Sequence, residues 1–241
     1  MSLPTLNTPT YNLTVPSTKQ RIKYRPFVVK EEKVLLMALE SEDDTQIAEA
    51  LKSIITCCVT TKDFKFDKLA TFDIEYIFLN IRAKSIGEDI KMTVTCPDDG
   101  VTQVPVTLYV DEIKVVKPKD HKTDIVLDDK MTLRMKYPSL NQFIENNFST
   151  TDDAKEVVNK SFKVIADCMD TIYTEEDAWD VNDYTPSERL DFVEKLSSKQ
   201  YKEVEKFFAT MPKLTHTIEV INPNTKEKGS VVLEGLADFF G

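Results

Sequence analysis

The sequence predicts an α+β protein in which helical segments pack around one small antiparallel sheet made of two β-hairpins. Helical and strand-like segments occur in separate runs, which is typical of α+β architecture and not of alternating βαβ units. The stretch between Phe72 and Val110 reads as an amphipathic helix that leads directly into a hairpin, and residues 214–234 repeat the hairpin layout. With 241 residues, 41% hydrophobic and 30% charged, the chain is long enough to bury a core.

The sequence divides into an N-terminal arm and one domain. Residues 1–23 are predicted to be extended, because several prolines among Thr and Asn residues disfavour a helix there. Residues 24–241 are predicted to form a single α+β domain. Its expected segments are, in order, helices at 31–86, a hairpin and further strands at 88–136, helices at 139–211, a second hairpin at 214–234 and a terminal LADFF segment at 235–241.

Capping residues locate several helix starts. Thr185, Pro186 and Glu188 combine an N-cap, a proline at the first helical position and an acid at the third. Ser197 with Gln200 fits a second capping box. Two more starts are predicted at Ser139 with Gln142 and at Thr150 with Asp153.

The terminal segment places three large apolar side chains at the spacing of one helical face. These side chains are Leu236, Phe239 and Phe240. We expect them to dock on the protein's own core, since only Glu234 and Gly235 separate them from the second hairpin. Docking on a partner protein is the alternative.

The two hairpin turns resemble the halves of a zinc ribbon that lacks its ligands. A ribbon turn of the form CPxCG supplies two thiolates, but Cys96-Pro97 is followed by Asp99 at the second ligand position. The corresponding positions in the second turn are Asn222 and Thr225. One thiolate cannot hold a structural zinc, so we expect no bound metal and no other cofactor. A scaffold without metal chemistry favours an assembly role over an enzyme.

Residues typical of catalytic sites are scarce. The chain has two histidines and five glycines, and it contains no GxSxG, GxxxxGK[ST], GxGxxG or HExxH motif. His121 in a charged loop is expected to be solvated, and His216 to lie on a strand surface. Acidic pairs such as Asp43-Asp44 and Asp128-Asp129 stand where Asp is favoured for backbone reasons. We therefore predict no catalytic residues, and the alternatives are a metal-dependent hydrolase that uses acidic pairs or an adaptor built on a degenerate zinc ribbon.

Charge is distributed unevenly along the chain, whose net charge is −10. The first 30 residues contain five basic residues and no acid. An acidic remainder argues against a nucleic-acid surface. The basic stretch is either a contact for an acidic protein partner or a solvated terminus. Its candidate partner-interface residues are Lys19, Arg21, Lys23 and Arg25.

The sole tryptophan, Trp179, lies with Tyr184 in the acidic segment TEEDAWDVNDYTP between two helices. Aromatic anchors are enriched at interface hot spots, so both residues are candidates for contact with a partner. The alternative is a hydrophobic contact that closes the loop onto the protein's own core.

Neither a membrane span nor a signal peptide is predicted. No apolar run approaches the length of a membrane span, and the N-terminal residues lack a continuous apolar stretch. We expect the protein to remain in the cytoplasm where it is made. The four cysteines do not form a disulfide framework.

Five strings carry a resemblance to a known family: YRPFVVKEEKVLLMALES at 24–41, FDIEYIFLNIRAKSIGE at 72–88, TCPDDG at 95–100, KYPSLNQF at 136–143 and LEGLADFFG at 233–241. They are similar to the baseplate hub proteins of T-even-type contractile-tailed bacteriophages. The resemblance spans nearly the whole chain except the N-terminal arm, and it transfers no catalytic residues. It implies a hub component or a chaperone-like assembly factor that contacts other hub and tail proteins, in the host cytoplasm during assembly or in the virion tail.

Overall fold

A computed structural model of the protein describes residues 7–41, 43–139 and 154–239. Contacts within the chain group it into two compact units. Unit 1 comprises Met1–Val116 and Lys213–Gly241, and unit 2 comprises Lys117–Pro212. The single-domain prediction for residues 24–241 concerns whether these units fold together, and it stays a prediction.

Helices and antiparallel strands are mixed along the described part of the chain, which confirms the α+β class. The helices are α1 (Val29–Glu40), α2 (Asp44–Cys58), α3 (Thr71–Ser85), α4 (Ala154–Cys168), α5 (Pro186–Glu194), α6 (Ser198–Ala209) and α7 (Gly235–Asp238). The strands are β1 (Tyr11–Thr14), β2 (Arg21–Tyr24), β3 (Asp89–Thr95), β4 (Gln103–Tyr109), β5 (Lys114–Val116), β6 (Asp124–Val126), β7 (Thr132–Met135), β8 (Met169–Tyr173), β9 (Ala178–Asp180), β10 (Lys213–Ile221) and β11 (Lys228–Glu234).

These strands form separate antiparallel sheets. The sheets of unit 1 have the orders β1-β2, β3-β4 and β11-β10-β5, and the sheet of unit 2 has the order β6-β7-β8-β9. The expectation that both hairpins join one sheet is therefore wrong. Strand β10 pairs with β11 on one side and with β5 on the other, where Lys213 faces Val116. The outer strands of that sheet are β11 and β5, and within the described residues the β3-β4 hairpin pairs with neither of them.

The first described element of unit 1 is the β1-β2 hairpin, in the stretch for which an extended arm is predicted. Tyr11 pairs with Tyr24, and Thr14 pairs with Arg21. Alternation along β2 buries Ile22 and Tyr24 and leaves Arg21 and Lys23 exposed. Pro16 lies in the connecting turn, so the prolines that suggested an arm permit a hairpin here. Residues 1–6 lie outside the described residues.

Helix α3 lies in the core of unit 1. It buries residues on most of its surface: Phe72, Asp73, Ile74, Ile77, Phe78, Leu79, Ile81 and Ala83. A helix that is apolar nearly all round is surrounded by other elements, so the predicted amphipathic helix is corrected to a buried one. Leu79 and Ala83 share a buried cluster with residues of the hairpins β3-β4 and β10-β11.

The C-terminal segment of the chain packs on unit 1. Phe239 is 1% exposed and belongs to the same buried cluster as Leu79. The backbone N–H of Leu236 donates to Glu75 Oε1 at 3.3 Å. Gly235 takes a φ of +74°, which favours glycine at the junction between β11 and α7. Phe240 lies outside the described residues.

Unit 2 has its own core between its sheet and its helices. The buried cluster includes Leu133, Met169, Val193 and Phe207. Both predicted capping boxes, at Thr185 and at Ser197, are present at the starts of α5 and α6. The starts predicted at Ser139 with Gln142 and at Thr150 with Asp153 fall on residues 140–153, outside the described residues.

Candidate functional site

The turns of the two long hairpins of unit 1 meet, and we call this contact the turn junction. Its polar side chains are those of Asp98, Asp99, Thr102, Asn222, Asn224 and Thr225. Asn222 is 1% exposed. Its Nδ2 lies 3.0 Å from both carboxylate oxygens of Asp98 and 2.8 Å from Asp99 Oδ2. The Thr225 hydroxyl donates to Asp98, and Asn224 Nδ2 donates to Thr102 Oγ1 at 3.0 Å.

Local backbone geometry positions these side chains. The N–H of Cys96 donates to the carbonyl of Thr102 at 2.7 Å, and the N–H of Gly100 donates to the carbonyl of Cys96 at 3.0 Å. Gly100 takes a φ of +68°, which favours glycine at this position of the turn. In the second hairpin, a Cβ on Gly229 would lie 2.5 Å from Pro97 Cγ. Only glycine permits this close approach, so the two hairpins contact each other through backbone as well as side chains.

Hydrogen bonds lower the pKa of both carboxyl groups in the turn junction. Thr225 and Asn222 donate to Asp98, and the Thr102 hydroxyl with the N–H groups of Val101 and Thr102 donates to Asp99. Both carboxylates are therefore ionised at neutral pH.

The thiol of Cys96 has the opposite shift. Burial and the nearby carboxylates of Asp98 and Asp99 raise its pKa, so the neutral thiol prevails over the thiolate that a metal requires. No group of three or more His, Cys, Asp or Glu side chains able to hold a metal occurs in the described ranges. The arrangement is a hydrogen-bonded bridge between two turns. Its likeness to a zinc ribbon stays a hypothesis.

The basic interface candidates fall into two groups. Arg21 and Lys23 are exposed at alternate positions of β2, and Lys19 is exposed in the preceding turn with a φ of +59°. Arg25 instead pairs with Glu31, with 2.9 Å between Nη2 and Oε1, and donates to a backbone carbonyl at 2.8 Å. Arg25 therefore braces the start of α1, while the other basic side chains remain available to solvent.

Trp179 and Tyr184 lie together on one apolar cavity of unit 2. Trp179 stands on β9 opposite Ile172 and is 36% exposed, and Tyr184 is 42% exposed. The cavity has a volume of about 430 Å³ and is also lined by Met131, Met169, Ile172, Val181 and Phe192. Both side chains thus contact the core on one side and solvent on the other.

Helix α1 exposes apolar side chains that sequence reasoning missed. Val29, Leu36 and Met37 are 79%, 55% and 63% exposed, whereas Leu35 and Ala38 are buried. The run VLLMAL at 34–39 was the sequence signal for this exposure. Six consecutive apolar residues point in all directions around a helix, so a helix with one buried face must expose some of them.

Two acidic side chains of α3 were also missed. Asp73 is fully buried and accepts from the N–H groups of Ser17 at 2.9 Å and Ala70 at 3.2 Å, which ties the first hairpin to α3. Burial raises the pKa of Glu75 to about 7. The only sequence signal for these contacts was the position of both acids among the large apolar residues of the first turns of α3.

A comparison with family models identifies the kind of protein. The model described as T4 bacteriophage base plate protein matches residues 8–241. The chain belongs to this family. No curated protein and no solved structure matches it. The base plate part of the resemblance is confirmed, and the match extends into the N-terminal stretch that the resemblance excluded.

As a base plate protein, the chain has a role in the phage tail, where it contacts other tail proteins. Membership of this family supports a structural or assembly role in the baseplate. Among the helices in the described ranges, none combines the length and the apolar character that crossing a bilayer requires.

Proposed function

We propose that the protein is a non-enzymatic structural or chaperone-like component of the baseplate hub that acts by binding other tail proteins. Membership of the family supports a location in the baseplate, and the exposed apolar surface of α1 supports action by protein–protein binding. We place its assembly in the host cytoplasm. The hub is the finer assignment, and it rests on the resemblance of the strings at 24–41 and 72–88.

The surface of α1 is the observation that carries this proposal. Leu36 and Met37 follow Val29 by seven and eight residues, a spacing that places all three on one side of the helix. All three are more than half exposed. Charged residues such as Lys33 and Glu40 are interleaved with them. An exposed apolar patch with a polar rim is typical of a protein interface, and its occupant here is an apolar surface of another baseplate protein.

Contacts of the remaining polar groups favour this role over a hydrolase. His121 is 6% exposed, so the expectation of a solvated side chain is wrong. Its ring nitrogens lie 3.0 Å from Thr210 Oγ1 and from the Tyr137 hydroxyl. Asp128 accepts from the backbone N–H groups of Lys130 and Met131 at 2.8 and 2.9 Å. These groups are used in turns and packing, as the acidic pair of the turn junction is.

The test is complementation of a phage that lacks this gene. The variant Leu36→Gln with Met37→Gln removes apolar surface from α1, and Val126→Thr with Val232→Thr is a control at positions 67% and 58% exposed. We expect both proteins to melt like the wild type. Only the α1 variant should lose assembled baseplates, counted by electron microscopy, and the binding of purified tail proteins. An α1 variant that assembles baseplates normally would overturn the proposal.

A further inference from the structure

The cavity beside Trp179 and Tyr184 has the features of a peptide-binding site. We propose that it receives a large apolar side chain from a basic segment of another baseplate protein, an inference that rests on the proposed function. Its volume of about 430 Å³ falls in the range of roughly 300–1,000 Å³ for ligand pockets. Aromatic and sulfur-containing side chains form much of its wall, as is typical of sites that hold an apolar anchor.

The charge around the cavity selects a basic partner. Residues 175–194 contain one base, Arg189, and eight acids: Glu175, Glu176, Asp177, Asp180, Asp183, Glu188, Asp191 and Glu194. Glu188 and Asp191 line the cavity, together with Arg189 and Lys195. Arg189 is already paired with Asp167 at 3.5 Å. Lys195 on the wall and Lys136, whose Nζ lies 3.3 Å from Asn182 Oδ1, offset only part of the negative charge of this segment. Complementary charge therefore favours Lys or Arg on the partner.

Strand β9 adds a way to hold an extended segment. It is the last strand in the order β6-β7-β8-β9, and it pairs only with β8 in the part of the chain that the structure describes. All three of its residues are exposed. Peptides commonly bind by adding a strand to such an edge, with alternate side chains entering neighbouring pockets.

Other occupants fit less well. The stretch 140–153 of the same chain has three acids and no base, so like charges oppose its approach. A second copy would offer the basic stretch Lys19–Arg25. The apolar side chains of that stretch, Ile22 and Tyr24, are buried in their own unit, which leaves no free anchor.

The test uses the sole tryptophan as the reporter. Purified protein is titrated with a synthetic peptide that has lysines around one central leucine, and the emission of Trp179 is recorded. We expect a saturable shift that weakens as salt is added. The same peptide with serine in place of leucine, or with glutamate in place of lysine, should bind at least about tenfold more weakly.

Charge-reversal variants locate the site. Asp191→Lys, on the cavity wall, should lower peptide affinity by about tenfold or more. The matched control is Glu203→Lys on α6, which makes the same change of charge at an exposed position that does not line the cavity and should leave affinity unchanged.

Three results would overturn the inference: an unmoved Trp179 emission, equal binding of the serine peptide, or equal effects of the two variants. Peptide binding is measured on the isolated protein, whereas the proposed function is measured by complementation with α1 variants. If the peptide does not bind but complementation still requires the apolar surface of α1, the cavity is not a peptide site and the proposed function is unaffected.

Discussion

Replacing Phe239 by alanine tests whether the C-terminal segment belongs to the core of unit 1. The side chain is 1% exposed and shares a buried cluster with Leu79, Leu214 and Leu233. Truncating a buried phenylalanine to alanine typically costs about 3–5 kcal/mol, from lost burial and from the cavity left behind. This is a large part of the roughly 5–15 kcal/mol that stabilises most proteins.

The expected change is large enough for routine measurement. For a protein of this size, each kcal/mol lowers the melting temperature by about 2–4 °C, so Phe239→Ala should lower it by roughly 10 °C. The control is Val101→Ala, at a turn position that is 80% exposed. Substitutions at such positions usually change the free energy of unfolding by less than about 0.5 kcal/mol.

Urea unfolding followed by circular dichroism gives the free energy directly. A loss below about 1 kcal/mol for Phe239→Ala would refute the packing argument, because that side chain could not then be filling the core. If the variant keeps its stability but no longer binds purified tail proteins, the segment docks on a partner and the preference for self-docking is wrong.

Four further predictions follow from the contacts of unit 1 and from the chain path. Asn222→Ala should lower the free energy of unfolding by roughly 1–3 kcal/mol, since it removes a buried donor, and urea unfolding measures the loss. Burial raises the pKa of Glu75 to about 7, so this carboxyl group binds its proton more tightly in the folded state than in the unfolded state. The stability that this proton contributes is fully present below the ordinary pKa of 4.5 and is lost as the pH rises through about 7. Glu75→Gln should therefore stabilise the protein more at about pH 8 than at about pH 5; equal melting shifts at both pH values would contradict this. Replacing Lys117–Pro212 by a short Gly-Ser linker should leave unit 1 folded, because Val116 and Lys213 are paired neighbours. If this shortened protein shows no cooperative thermal unfolding, unit 1 does not fold alone, which would support the single-domain prediction. Protein purified without chelator should contain no stoichiometric zinc, and elemental analysis that finds about one zinc per chain would contradict the interpretation of the turns.

Features set by neighbouring residues could be predicted from the sequence. The capping boxes at Thr185 and Ser197 depend on side chains only three residues apart. The hairpin at 214–234 was visible from alternating apolar residues on both sides of a turn. In each case the stabilising contacts join residues that are close together in the sequence.

Features set by distant contacts were predicted poorly. The similar sequences of the two turns suggested that the hairpins lie side by side, but not that Asn222 would bind Asp98 across 124 residues. The pairing of β5 with β10, and the absence of a pairing between the two long hairpins in the described residues, left no sequence pattern. Trp179 and Tyr184 were identified as interface candidates, yet the cavity between them depends on residues from β8 and α5.

The turn junction bears on how unit 1 is closed. A zinc ribbon closes its turns with metal–thiolate bonds, which a chelator removes and which require deprotonated cysteines. Here ionised Asp98 and Asp99 accept hydrogen bonds from the opposite turn, with Asn222 as the shared donor. The lowered pKa values of both carboxyl groups keep these contacts intact down to acidic pH. If the turns derive from a zinc ribbon, the hydrogen bonds of one buried amide now hold them together in place of a metal. Asn222→Ala should therefore lower the stability of unit 1, while a chelator should leave the stability of the wild type unchanged.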